Sequence, residues 1–119
     1  MTRCCPMHSG EEIEIISALV EAWFAGDYPM FDAVTEEPEI AWQAIIAISK
    51  RELTDEQMAL LAGGPLEDLL VWHGSAFIDR VLDAAKARPK FNHLLGGVWR
   101  QEMPKEIWER IENARNEAW

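Results

Sequence analysis

His73 stands close in the sequence to the groups it could work with. It follows Glu67 and Asp68 by fewer than two helical turns and precedes Ser75. Histidine beside a carboxylate or a hydroxyl is the minimum equipment for acid–base or nucleophilic chemistry. Each residue also has a plain structural role. Glu67 and Asp68 fall in the first turn of a helix expected to begin at Gly64 and Pro65, where acids meet the positive end of the helix dipole. His73 falls in its last turn before Gly74, where imidazolium meets the negative end, and Ser75 opens the next helix. Those roles account for the residues, and no catalytic residue is assigned. A pocket near His73, Glu67 and Trp99 is the alternative, which would make the protein a small enzyme or ligand binder.

Cys4, Cys5 and His8 place three soft donors within five residues. Zinc sites separate paired cysteines by two to four residues, and no second Cys or His pair follows, so no metal is expected. A bond between adjacent cysteines would close almost no loop, and reduced thiols suit the cytoplasm. His93 has no acid three or four residues away, and no H-E-x-x-H, no Glu-x-x-His and no phosphate-cradling glycine loop ending in lysine occurs. Gly63–Gly64 and Gly96–Gly97 are explained as helix ends that need left-handed residues. No cofactor is expected. Of the six tryptophans, Trp23, Trp42 and Trp108 lie on apolar stripes and read as wedges in the core. Trp72 and Trp99 do not, and with Glu67, Asp68 and His73 they form the candidate pocket or interaction set.

The elements that position these residues are helical. Ser9 and Glu12 have the spacing of a capping box, followed by apolar residues at helical spacing, which predicts a helix over Gly10–Ala25 stopped by Gly26, with a turn at Asp27, Tyr28 and Pro29. A second helix runs from Thr35 or Glu37 to about Glu52, with Pro38 in its first turn. Ile40 to Ile48 carries one polar residue, Gln43, so this helix should be buried nearly all round. Thr54 and Gln57 cap a short helix stopped at Gly63. Helices then follow from Pro65 to Gly74, from Ser75 to Arg88, from Pro89 to Leu95 and from about Pro104 to Ala118. No period-two alternation supports a strand. The expected fold is all-α, an irregular bundle of six or seven short helices. A short helical repeat would look similar, but no repeat period favours it.

At 119 residues the chain fits one domain, 10–119, behind a tail at 1–9, and folding at this size buries roughly two thirds of the unfolded surface. No run is long and apolar enough for a membrane, and no secretory signal is visible, so a cytoplasmic location is expected. The net charge of −10 is uneven. No lysine or arginine lies between Cys4 and Ser49, whereas Arg80, Lys86, Arg88, Lys90 and Arg100 make a basic stretch. Leu66–His73 and Ser75–Arg88 could pass for a helix-turn-helix, but Asp79 and Asp83 share the second helix with its bases, which argues against nucleic acid.

GPLEDLL at Gly64–Leu70, His73–Gly74, FIDRV at Phe77–Val81 and GVW at Gly97–Trp99 together resemble a bacterial family of small all-α domains of unknown function. The likeness runs from Ala62 to Trp108. It implies a helical fold in a bacterial cytoplasm and supplies no activity or functional residue. The expected function is therefore a non-catalytic, acidic interaction module for a basic protein, an immunity or antitoxin-like role being one version. A homodimer pairing the acidic half of one copy with Arg80–Arg100 of another is the further expectation.

Overall fold

The computed structural model describes residues 10–27, 30–116 and 119, with only the backbone at 10 and 11. The tail at 1–9, with Cys4, Cys5, His8 and the capping residue Ser9, lies outside the described residues, as do Tyr28 and Pro29 of the expected turn. The described residues form seven α-helices and no strand: α1 (Gly10–Phe24), α2 (Met30–Glu36), α3 (Pro38–Ser49), α4 (Asp55–Leu61), α5 (Glu67–Ala87), α6 (Pro89–Leu95) and α7 (Lys105–Ala114), with one π-helical turn, Ala62–Leu66, between α4 and α5.

α1 ends where expected, at Gly26, whose φ of +94° is costly for any residue with a side chain. α2 is not foreseen by the periodicity. At seven residues it is too short to show a stripe, and it forms because Met30, Ala33 and Val34 are buried. α3 opens with Pro38 and buries Ile40, Ala41, Trp42, Ala44, Ile45 and Ile48, packing against α1, α2 and α5. Its Ile46 and Ala47 are only partly covered, so it is central but not enclosed on every side. Trp42 meets Phe91 of α6 edge to face at 5.9 Å, inside one continuous core that also takes in Leu69, Leu70, Leu94 and Ile111.

The Thr54–Gln57 capping box opens α4: Gln57 N donates to Thr54 Oγ1 at 3.0 Å and Thr54 N to Gln57 Oε1 at 2.9 Å. The expected stop at Gly63 is not a stop, whereas the one before Gly74 falls at a kink where two helices meet. Helical backbone continues from Asp55 through the π turn to Trp72 and resumes beyond His73 as far as Ala87. Pro65 brings no N–H, and its ring clashes with the preceding turn of an α-helix. The chain widens by one residue there, so that the Glu67 N–H reaches Ala62 O, and Pro65 sits inside the run rather than at a first helical position. The second bend is at His73 (φ −137°, ψ 31°), immediately before the Gly74–Ser75 pair, a known kind of kink site. Gly74 is buried inside α5, where an added Cβ would stand 3.2 Å from Ile107 Cγ2 of α7.

α6 begins with Pro89 as expected. Gly96, which follows it, has φ −63° rather than a left-handed conformation. α7 is shorter than expected and ends at Ala114, where Arg115 turns extended. No helix among the described residues is long and apolar enough to cross a membrane.

Candidate functional site

The five residues singled out from the sequence do not share one cavity. Glu67 and Trp99 do meet, but through the backbone: Trp99 N donates to Glu67 Oε1 at 2.8 Å. Glu67 is buried, and burial pushes its carboxyl above the usual glutamate range. The Trp99 hydrogen bond opposes that shift, the nearby Asp68 charge adds to it, and a side-chain hydrogen bond from Gln101 opposes it. Gln101 has φ +47°, the left-handed region. Glu67 therefore pins the loop after α6. A dipole role does not describe it, because its own N–H is bonded within the helical run.

His73 stands at the kink inside α5, where the helix end expected before Gly74 falls and beyond which helix resumes to Ala87. Its Nε2 is buried and has no hydrogen-bond partner. Trp72 is 57% exposed and meets Phe31 of α2, itself 41% exposed, edge to face at 6.3 Å. Trp99 is 65% exposed and lies in a groove of about 270 Å³ with Trp108, Trp119 and Arg115. Arg115 is already engaged there, 4.9 Å over the Trp108 ring and donating to Val98 O. Trp119 closes one side of that groove. It stacks on His93 at 5.1 Å and donates from Nε1 to His93 O, and its ring lies so near Gly97 that an added Cβ would meet it at 2.7 Å.

Asp68 belongs elsewhere. It lines a groove of about 660 Å³ between the end of α1 and the α4–π–α5 run. Trp23 and Phe24 from α1 and Leu60 from α4 supply apolar walls, Gly63, Gly64 and Pro65 supply a wall with little side chain, and Asp27, Glu56 and Asp68 supply carboxylates. Among the described residues no Lys, Arg or His lines it. Trp23 and Phe24 meet edge to face at 5.1 Å and are half-buried, while Leu60 is 57% exposed. The π turn brings this surface together. One residue too many in a helix rotates the later turns by about 100° relative to the earlier ones.

The sequence pattern passes over Trp23, Asp27, Glu56 and Leu60. Trp23 sits on an apolar stripe and reads as core, and Leu60 reads as the buried face of a short helix. The one signal in the sequence is the Gly63–Gly64–Pro65 triplet, which reads as a boundary.

The remaining grooves have bases among their acids. One of about 780 Å³ among α5, α6 and α7 carries Asp79, Asp83, Lys86 and Arg110, with Arg110 Nη2 2.7 Å from Asp79 Oδ1. Another of about 520 Å³ carries Glu52, Asp55, Lys90 and His93. Glu67, Trp72 and His73 line none of these four grooves. Among the described residues no three His, Cys, Asp or Glu side chains are grouped to hold a metal.

Comparison with known proteins adds a family and no activity. No curated protein and no solved structure matches the chain. The family match is wider than the Ala62–Trp108 likeness and takes in most of the acidic half. From residue 16 to residue 119 the chain matches the model of a family of unknown function, DUF6869, and it belongs to that family.

Proposed function

We propose that this protein is a non-catalytic interaction module that holds a basic protein partner in the groove between α1 and the α4–π–α5 run. One observation carries the reading: Asp27, Glu56 and Asp68 border apolar walls formed by Trp23, Phe24 and Leu60. Carboxylates on an open surface attract a cation weakly, but an apolar wall beside them gives its aliphatic stem a place to pack. The bacterial cytoplasm is the proposed setting, and an immunity or antitoxin-like role is one form the interaction takes. Neither nucleic acid nor a membrane is proposed as a partner.

The head-to-tail homodimer is less favoured. Arg80 pairs with Glu39, Arg88 donates to Ser49 Oγ at 2.7 Å, Lys90 donates to Arg51 O, and Arg100 donates to Met103 O. Four of the five bases such a dimer would offer are engaged within the chain.

Calorimetric titration with hexalysine tests the reading. Binding should weaken as salt rises, disappear in the triple variant Asp27→Asn, Glu56→Gln, Asp68→Asn, and survive in the equally neutralised control Glu102→Gln, Glu106→Gln, Glu109→Gln. Equal loss in both triples would make the attraction diffuse charge and remove the groove from the proposal.

A further inference from the structure

The groove beside the loop after α6 is walled by indoles from three places in the chain: Trp99 from that loop, Trp108 from α7 and Trp119 from beyond it. Each is fixed by a different device. Trp99 N donates to the carboxylate of the buried Glu67, so the backbone that carries this exposed indole is tied to α5. Trp119 is bonded twice, N to Gly96 O at 2.8 Å and Nε1 to His93 O at 2.6 Å, and stacks on the His93 ring. Trp108 is half-buried against the core.

A wall of indoles ordinarily attracts a cation, because the ring faces are negative. Here the cation is built in. Arg115 Cζ lies 4.9 Å from the centroid of the Trp108 ring, and Nη1 donates to Val98 O at 3.2 Å, so the guanidinium is held at the groove before any ligand arrives. Among the described residues Arg115 is the one charged side chain that lines it. A second cation would meet like charge. A carboxylate would meet a planar fork that matches its two oxygens and whose ordering the fold has already supplied.

We propose that this groove binds a small planar aromatic carboxylate, at a site separate from the acidic groove beside the π turn. The ring of the ligand stacks on Trp99, and its carboxylate accepts hydrogen bonds from Arg115. Trp119 closes the side against Gly96. The volume, about 270 Å³, falls just below the roughly 300–1,000 Å³ of pockets for drug-sized ligands, which limits the occupant to one or two fused rings.

Calorimetric titration of the full chain with indole-3-carboxylate, its neutral carboxamide and benzyltrimethylammonium decides this. The carboxylate should bind about tenfold more tightly than the carboxamide, with the preference shrinking as salt rises, and the cation should bind most weakly. Arg115→Gln should remove the preference. Trp99→Ala should weaken the carboxylate and the carboxamide alike by about threefold. Should Arg115→Gln fail to fold, judged by circular dichroism, the indole N–H signals of the unaltered protein in nuclear magnetic resonance replace it: the carboxylate should shift that of Trp99 and leave that of Trp42, buried in the core, where it is. Equal affinity for carboxylate and carboxamide, tighter binding of the cation, or a titration that leaves the Trp99 signal unmoved overturns the proposal.

Discussion

Two grooves of comparable volume, about 660 Å³ beside the π turn and about 780 Å³ among α5, α6 and α7, carry carboxylates in their walls and differ in what accompanies them. In the larger, Lys86 and Arg110 stand with Asp79 and Asp83, and the Arg110–Asp79 pair is formed within the chain. In the smaller, three carboxylates stand with tryptophan, phenylalanine and leucine, and no base lines it among the described residues. Volume does not separate a candidate site from a crease between helices. Exposed apolar surface beside the acids does, because it gives the stem of an outside cation a place to pack.

Variants test that contrast in descending size of effect. Phe91→Ala, in the fully buried core against Trp42, should lower stability by about 3–5 kcal/mol in urea denaturation and abolish both grooves in one transition. Separate transitions for the two regions would show that the grooves belong to independent units.

Glu67→Ala should cost about 1–3 kcal/mol, since Trp99 N–H loses its acceptor, and should loosen the loop after α6 while hexalysine affinity stays unchanged. Glu67→Gln keeps an acceptor. Because the folded protein raises the Glu67 pKa, it binds that proton more tightly than the unfolded chain. This contribution is fully present below the ordinary glutamate value and is lost as pH rises through the raised one. The Gln variant should remove that slope and match or exceed the parent at neutral pH. A steeper fall with rising pH in the variant would refute the assigned sign.

Gly63→Ala should raise stability by about 0.5–1 kcal/mol, because Gly63 lies within helical backbone and an added Cβ meets nothing within 4 Å. Smallest of all, Arg110→Ala should change stability by no more than about 0.5 kcal/mol, its ion pair being exposed. It should also make the larger groove more attractive to hexalysine, bringing it nearer in character to the smaller one.

Fold class was legible because it depends on patterns repeated along the chain: the apolar residues of α3, the Thr54–Gln57 cap, and Pro38 and Pro89 opening helices. What misled was local. Gly63, Gly64 and Gly74 look like boundaries because glycine commonly ends helices, yet burial on both sides held the backbone helical and turned each apparent boundary into a bend. The candidate site suffered from the same cause. Once Pro65 is taken as a helix start, Leu60 and Asp68 belong to different elements and nothing suggests they share a wall with Trp23. Trp72 and Trp99 stood out because neither fits a helical stripe, but spacing carries no sign that one meets Phe31 and the other lies beside Arg115.

A π turn is an α-helix with a supernumerary residue, and that makes the span Ala62–Leu66 a place where length matters more than identity. Deleting Gly63 would let ordinary pairing resume and would swing everything from Glu67 onward around the axis. Asp68 and Trp72 would turn away from Trp23, and the buried Glu67 would rotate toward water. The molecule should therefore accept replacement of the open Gly63 while its deletion dismantles the recognition surface.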